Sequence, residues 1–235
     1  MANRLVHRVH HVRGLSHGVF VLRFDRHDFS FEPGQYVNLG FPGSLARREY
    51  SLYSGAGDDF LEVLVREIPG GLISPALARC RPADELVVEG PYGLFVTDPA
   101  ARSRARYLFV GTGTGISPFH CLVRSYPGID YLLLHGVRSA DERYDRGAYD
   151  PSRHVACISR GDAPSAIPGG APSAGDVAGG SRDFRGRVTS WLRAHPVDAS
   201  RICCLCGNSD MIYEVFAILR EQGVPRSHIS AEVYF

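Results

Sequence analysis

A glycine-rich turn in the middle of the chain has the residue types that bind a phosphate. The stretch VGTGTGISPF, residues 110–119, follows an apolar run and leads into a predicted helix that begins at Ser117 with Pro118 in its first turn. Glycines let the main chain approach a phosphate closely, and a helix N-terminus offers free N–H groups and a positive dipole. The G-x-G-x-G spacing differs from the common G-x-G-x-x-G, so a dinucleotide pyrophosphate competes with a tight turn that binds nothing.

Three arginines follow predicted strand ends or a helix start in the second half of the chain. Arg138 lies in HGVRSADERY, Arg160 follows Ser159 in CISRGD, and Arg187 lies in FRGRVTSW. Strand ends of one parallel sheet converge on the same crevice, so these guanidinium groups can surround a phosphate on the ribose and favour NADP over NAD. Solvated surface arginines are the alternative. The segment 161–181 separates Arg160 from Arg187, which favours the pairing of Arg138 with Arg160.

A strand in the first half, REYS at residues 48–51, combines an arginine, an aromatic ring and a hydroxyl. Arg48 and Tyr50 fall on one face, where an arginine can pair with a phosphate while the aromatic ring stacks on a planar ring. Downstream, GGLISPAL predicts a second helix start with Ser74 as N-cap and Pro75 as the first helical residue. A second pyrophosphate could bind there.

The elements that must position these residues change character along the chain. Short apolar runs such as GVFVLRFD and FLEVLVRE alternate with turns in the first hundred residues and predict an antiparallel β-barrel or sandwich. From Arg106 onward, strands such as DYLLLHGV alternate with helices such as SDMIYEVFAILREQG, which predicts a Rossmann-like α/β domain with a parallel sheet. We expect two domains, residues 1–98 and 99–235.

Composition narrows the class of protein. The net charge of +1 on 235 residues, with acids and bases interspersed, argues against nucleic acid as a partner. Neither a signal peptide nor an uninterrupted apolar span is visible, so we expect a cytoplasmic protein without a membrane partner. The six cysteines fit neither zinc nor iron–sulfur spacing, and we expect reduced thiols and no metal. The Gly-, Ala- and Pro-rich segment 161–181 is predicted to be a mobile loop without chemistry.

The order and spacing of the motifs resemble the ferredoxin–NADP reductase family, and most closely its bacterial ferredoxin and flavodoxin reductases. The resemblance covers nearly the whole chain. The motifs that carry it are FEPGQY at 31–36, REYS at 48–51, GGLISPAL at 70–77, GTGTGISPF at 111–119 and CGNSDM at 206–211.

The resemblance implies that FAD and NADP(H) are the cofactors, with FAD on the barrel. Arg48 would bind the FAD pyrophosphate, Tyr50 would stack on the isoalloxazine, and Ser51 would lie near flavin N5. The full set implied for FAD is Arg48, Glu49, Tyr50, Ser51, Val63, Leu64, Val65, Gly71, Leu72, Ile73, Ser74, Thr114, Tyr234 and Phe235. The set implied for NADP is Gly111, Thr112, Gly113, Thr114, Gly115, Arg138, Ser159, Arg160, Arg187, Cys206, Gly207 and Met211.

The implied catalytic residues are Ser51, Cys206 and Glu232. Residue by residue, a small buried thiol at Cys206 and a solvated carboxylate at Glu232 are the alternatives. The ending SAEVYF would place Tyr234 over the flavin face opposite Tyr50 and extend Phe235 toward the FAD adenine; a terminal strand that packs its aromatics in the core is the alternative.

The function implied by the resemblance is a monomeric ferredoxin or flavodoxin NADP reductase that exchanges electrons with a separate carrier protein. The alternatives are the reductase component of an oxygenase and an NAD(P)H-dependent reductase of free flavin, quinone or iron chelates. A flavin-binding redox-sensing subunit without turnover is the alternative from another class of protein.

Overall fold

A computed structural model describes residues 3–160 and 182–234. The predictions for the segment 161–181 and for Phe235 lie outside the described residues. The chain divides into two compact units, one comprising Met1–Arg104 with Thr114–Ile129 and the other comprising Ala105–Gly113 with Asp130–Phe235.

The first unit is a six-stranded antiparallel sheet with the strand order β4-β3-β6-β1-β2-β5. A bridge between Leu52, just after β4, and Val63, in the middle of β5, brings the two edge strands together. The elements are β1 (Asn3–Ser16), β2 (Val19–Asp25), β3 (Tyr36–Gly40), β4 (Arg48–Ser51), β5 (Phe60–Arg66), α1 (Ser74–Ala78) and β6 (Glu85–Tyr92).

Alternating side chains build the core of this unit. Phe20, Leu22 and Phe24 on β2 point inward at every second position and are at most 5% exposed. Leu61, Val63 and Val65 do the same on β5, and all belong to one buried cluster. The alternating side chains of β2 and β5 thus contribute to one buried core.

The second unit is a six-stranded parallel sheet with the order β10-β9-β8-β7-β11-β12. The chain runs from β7 outward to β10 and then returns to place β11 on the other side of β7, so the topological switch point lies between β7 and β11. The elements are β7 (Arg106–Thr112), α2 (Ser117–Ser125), β8 (Asp130–Val137), β9 (His154–Ile158), β10 (Arg182–Arg185), α3 (Val188–Ala194), β11 (Ile202–Gly207), α4 (Ser209–Glu221) and β12 (Ile229–Val233).

Helix α2 follows β7 in the chain but packs within the first unit. The His120 ring stacks on Tyr53 with centroids 3.6 Å apart, and its Nδ1–H donates to the Tyr53 carbonyl oxygen at 2.6 Å. Ser125 Oγ accepts from the Ala56 N–H at 2.8 Å, and Cys121 lies in the barrel core. The glycine turn that precedes α2 therefore connects one unit to the other.

The predicted fold class is confirmed, with two local differences. No strand was predicted at β1, because buried His7 takes a position where an apolar residue would have completed the alternating pattern. The prediction of Ser74 as N-cap is wrong: Ile73 is the N-cap residue, and Ser74 begins α1 while its Oγ accepts from the Ile68 N–H at 2.9 Å. Within the described residues, every helix is too short or too polar to cross a membrane.

The anchoring of α2 gives a stability prediction. His120→Ala removes a buried stacked ring and one buried hydrogen bond, so we expect a loss of about 3 kcal/mol in the free energy of unfolding. The melting temperature should fall by several degrees, measured by circular dichroism. His17→Ala, at an exposed position in the first unit, is the matched control and should leave the melting temperature unchanged. Equal melting temperatures for the two variants would contradict the anchoring role.

Candidate functional site

The first unit presents the REYS motif on β4. Arg48 is exposed, and its Nη1 donates to the Arg47 carbonyl oxygen at 2.8 Å. The Tyr50 ring is half-buried against the barrel core, and burial raises the pKa of Tyr50 to about 12, so the phenol stays protonated. Glu49 is exposed and Ser51 is buried. An exposed guanidinium beside a partly packed ring fits a ligand that carries both a phosphate and a planar ring.

On strand β5, the main chain is available to contact a ligand, whereas the valine side chains are buried. Val63 and Val65 are fully buried in the barrel core, and Leu64 is 3% exposed. The Glu62 carbonyl accepts from the Tyr53 N–H at 2.7 Å, so the main-chain groups of Glu62 face away from β2. By the two-residue alternation of a strand, the Leu64 carbonyl faces the same way. Contact between the predicted 63–65 segment and a flavin edge would therefore use the main chain of Leu64.

The segment before α1 is a tight turn. The Gly71 N–H donates to the Ile68 carbonyl oxygen at 2.9 Å, and a Cβ added to Gly71 would lie 2.9 Å from that same oxygen. Leu72 is 75% exposed, whereas Ile73 is buried. The Ser74 hydroxyl accepts from Ile68 and keeps its proton for another acceptor, as a phosphate contact requires.

In the second unit, the ends of β7 and β11 meet at the switch point. Gly111 pairs with Cys206, and the Asn208 N–H donates to Thr112 Oγ1 at 3.2 Å. Gly207 has φ of +132°, and an added Cβ would lie 3.1 Å from both the main-chain nitrogen and the carbonyl oxygen of Thr112. Only glycine fits this close approach. In open parallel sheets, ligands bind at such a crevice.

The glycine turn continues from β7 into a 3₁₀ segment, Gly113–Ile116, before α2 begins. Gly113 is left-handed with φ of +53°, and its carbonyl oxygen accepts from His135 Nε2–H at 3.0 Å. Ser117 Oγ donates to the Thr114 carbonyl oxygen at 2.7 Å, and Gly115 is buried. Side-chain hydrogen bonds from His135 and Ser117 thus hold two carbonyl groups of the turn.

The structure brings the predicted arginines to neighbouring strand ends of the second unit. The Arg160 N–H donates to the Arg138 carbonyl oxygen at 2.7 Å, and Ser159 Oγ donates to the Val137 carbonyl oxygen at 3.1 Å. Arg187 follows β10 and is the N-cap residue of α3. All three arginines are exposed. Their order follows the order of strands β8, β9 and β10, which places fixed positive charge along one edge of the sheet.

Cys206 and Glu232 are neighbours in the second unit. They pair across β11 and β12, and the Tyr234 N–H donates to the Gly207 carbonyl oxygen at 2.9 Å. Burial and the negative charge of Glu232 raise the pKa of the Cys206 thiol well above its usual value, and contact with Tyr234 offsets only part of this rise. Cys206 is therefore a neutral thiol near pH 7. Ser51, the third predicted catalytic residue, lies in the other unit.

Met211 lies in the buried core of the second unit, so its side chain serves packing, and its N–H donates to Asn208 Oδ1 at 3.3 Å. Asn208 and His135 were not predicted as site residues. Asn208 caps α4 and bonds to Thr112, and the GNSD sequence before the helix carried that cap signal. A polar histidine inside the apolar run DYLLLHGV was the signal for His135.

The close packing of Gly207 against Thr112 at the switch point gives a testable prediction. Gly207→Ala introduces both a strained left-handed φ and a contact with Thr112, so we expect a loss of about 2 kcal/mol or more in the free energy of unfolding and weaker dinucleotide binding. Gly147→Ala is the control, because its added Cβ meets open space. Thermal melting and a dinucleotide titration measure both effects. A Gly207→Ala protein that matches Gly147→Ala would contradict the fit.

Two groups of comparisons place the chain among known proteins. Residues 7–96 match the protein-family model described as the oxidoreductase FAD-binding domain. The chain is 33% identical over 242 residues to ferredoxin–NADP reductase B of Sorangium cellulosum, an alignment that covers 95% of this chain and 94% of that protein. It is 38% identical over 128 residues to the aromatic O-demethylase reductase subunit of an Amycolatopsis species, covering 51% of this chain and 38% of that one.

Solved structures agree with this placement. The Amycolatopsis cytochrome P450 reductase GcoB has a TM-score of 0.82 at 26% identity, over 99% of this chain and 70% of that one. A ferredoxin NADP+ reductase from Neisseria gonorrhoeae has a TM-score of 0.78 at 20% identity over the whole of both chains, which shows the shared fold. The predicted cofactors, FAD and NADP(H), are confirmed at the level of the family. The chain belongs to the ferredoxin–NADP reductase family of FAD-dependent oxidoreductases.

Proposed function

We propose that this protein moves electrons between NADPH and a separate one-electron carrier protein, a ferredoxin or a flavodoxin. The observation that carries the proposal is the match over 94% of the length of ferredoxin–NADP reductase B, against 38% of the length of the demethylase reductase subunit. FAD, when bound, would exchange hydride with the nicotinamide and single electrons with the carrier. The chain supplies binding, orientation and electrostatics.

The residues of the first unit fit FAD. The exposed Arg48 guanidinium would pair with the pyrophosphate, and the half-buried Tyr50 ring would pack on the isoalloxazine. The tight turn at Gly71 brings the main chain and the Ser74 hydroxyl forward for the phosphates. Tyr50, with its pKa raised to about 12, would present an uncharged ring to the flavin.

The residues of the second unit fit a 2′-phosphorylated dinucleotide. The turn Gly111–Gly115 would receive the pyrophosphate at the switch point. Arg138 and Arg160, joined through a main-chain hydrogen bond, would hold the 2′-phosphate together with Ser159. Arg187, at the start of α3, would add charge from the next strand along the sheet.

Glu232 is the proposed proton-handling or nicotinamide-stabilising group, because its carboxylate lies beside the uncharged Cys206 thiol on β11. The raised pKa of Cys206 keeps its thiol neutral and makes it a poor nucleophile. The proposed role of Cys206 is therefore to shape the site as a small neutral group. Ser51 remains the proposed hydrogen-bonding partner near flavin N5. Tyr234 and Phe235 remain proposed flavin-face residues.

The central experiment is anaerobic stopped-flow reduction of the purified holoprotein with NADPH and, separately, with NADH. We expect the yellow protein to bleach faster with NADPH and the reduced protein then to reduce added ferredoxin or flavodoxin. Failure to bleach with either nucleotide would contradict the proposal and favour a flavin-binding subunit without turnover.

A second candidate is the reductase component of an oxygenase. The TM-score of 0.82 to the cytochrome P450 reductase and the 38% identity to the demethylase reductase subunit favour it. The same stopped-flow experiment discriminates between the two. Rapid electron transfer to a partner oxygenase, with slow transfer to ferredoxin and flavodoxin, would favour the second candidate.

The arginine pair gives a specificity prediction. Arg160→Ala removes one charged partner of the 2′-phosphate, so we expect KM for NADPH to rise about tenfold while KM for NADH stays within twofold. Steady-state kinetics with both nucleotides measure this. Arg193→Ala is the control, because Arg193 pairs at 2.8 Å with Glu214 between the helices. Equal changes for both nucleotides would show that Arg160 does not read the 2′-phosphate.

A further inference from the structure

His135 on β8 is a buried histidine that bonds to the glycine turn. Its Nε2 lies 3.0 Å from the Gly113 carbonyl oxygen and its side chain is fully buried. A carbonyl oxygen only accepts, so the ring proton sits on Nε2 and Nδ1 carries a lone pair. Within residues 3–160 and 182–234, that Nδ1 is buried without a hydrogen-bond partner. Burial lowers the pKa of His135 to about 4, which keeps the ring neutral near pH 7.

Packing alone does not account for this histidine. A phenylalanine fills a similar volume without burying an unpaired nitrogen. The neighbouring His154 on β9 provides the comparison, because its ring lies 6.2 Å from that of His135 and is equally buried. Both ring nitrogens of His154 lack hydrogen-bond partners in the described part of the chain. Of these two buried histidines, only His135 bonds to the glycine turn.

The bond to Gly113 sets the direction of the next N–H group. A trans peptide is planar, and its C=O and N–H point in opposite directions. Because the Gly113 carbonyl points toward the buried His135 ring, the Thr114 N–H points the opposite way, away from that ring. Gly113 has a left-handed φ of +53°, and Thr114 lies in the first turn of the 3₁₀ segment, where N–H groups lack intrahelical acceptors.

We propose that His135 is a positioning residue for dinucleotide binding: its Nε2–H holds the Gly113 carbonyl inward and thereby aims the Thr114 N–H at the pyrophosphate. This role rests on the proposed function, since it assigns the glycine turn to the pyrophosphate of NADPH. His135 does not touch the reacting atoms. His135 acts through the peptide group between Gly113 and Thr114. Loss of the imidazole should therefore weaken NADPH binding more than it slows hydride transfer.

The test uses three variants of the holoprotein. His135→Phe keeps a planar ring and loses the donor, His135→Gln keeps an N–H donor near the position of Nε2, and His154→Phe is the matched control. For His135→Phe we expect about a tenfold rise in KM for NADPH and in Kd for NADP⁺, with kcat within twofold and FAD content unchanged. His135→Gln should restore both constants to within about threefold of wild type, and His154→Phe should leave them unchanged.

Two outcomes would overturn the role. One is equal KM and Kd values for His135→Phe and His154→Phe, and the other is a His135→Gln protein as weak in binding as His135→Phe. A wild-type protein that does not bind NADP⁺ would overturn the proposed function together with this role, whereas tight wild-type binding that His135→Phe leaves unchanged overturns the role alone.

A measurement on the wild type keeps the proposal falsifiable if His135→Phe does not fold. Nitrogen-15 NMR of histidine-labelled protein reports which ring nitrogen carries the proton. We expect the Nε2–H tautomer for His135, with its signal shifted when NADP⁺ is added and the His154 signal changed less. An Nδ1–H tautomer, or an equal response of both rings, would refute the assignment.

Discussion

The stacking of His120 on Tyr53 is the contact on which the arrangement of the glycine turn depends. The rings lie 3.6 Å apart at an interplanar angle of 7°, and the histidine also donates to the Tyr53 carbonyl oxygen. This buried pair holds α2 in the first unit, although the strand before it, β7, belongs to the second. The turn between them is attached at one end to a parallel sheet and at the other to a helix on the barrel. Gly113 supplies the left-handed conformation in this short connection.

In the second unit, the buried histidines and cysteines are neutral, whereas the arginines at the surface are charged. Burial lowers the pKa of His135 to about 4 and that of His154 to about 3, and it raises the pKa of Cys157 and Cys203 to about 12. These interior groups are therefore neutral across the physiological range. Positive charge comes from the exposed arginines at the strand ends, whose guanidinium groups stay protonated at any such pH. A phosphate at the strand ends would thus meet positive charge that does not titrate, above buried histidines and thiols that carry no charge.

The sequence predicted those elements whose structure is determined by a few neighbouring residues. The glycine turn, the helix starting at Ser117 and the alternating strands β2 and β5 each carry their signal within a few residues. The packing of α2 on the barrel could not be predicted, because its contacts join Tyr53 to His120 across 67 positions. The burial of the Val63 and Met211 side chains was also missed, because a motif identifies the position of a residue but not the direction of its side chain. Strand β1 was missed because its alternating pattern includes buried His7.

Two motifs that are far apart in sequence form one structural unit at the switch point. Thr112 ends the strand that leads into the glycine turn, and Asn208 lies within the CGNSDM motif; their hydrogen bond spans 96 positions of the chain. The bond exists because β11 returns to lie beside β7, and Gly207 lets the two strands end in close contact. The Thr112 hydroxyl accepts from the same residue whose side chain caps α4. This hydrogen bond couples the end of β7 directly to the start of α4, so that the position of the glycine turn and the position of the Cys206 strand end are linked.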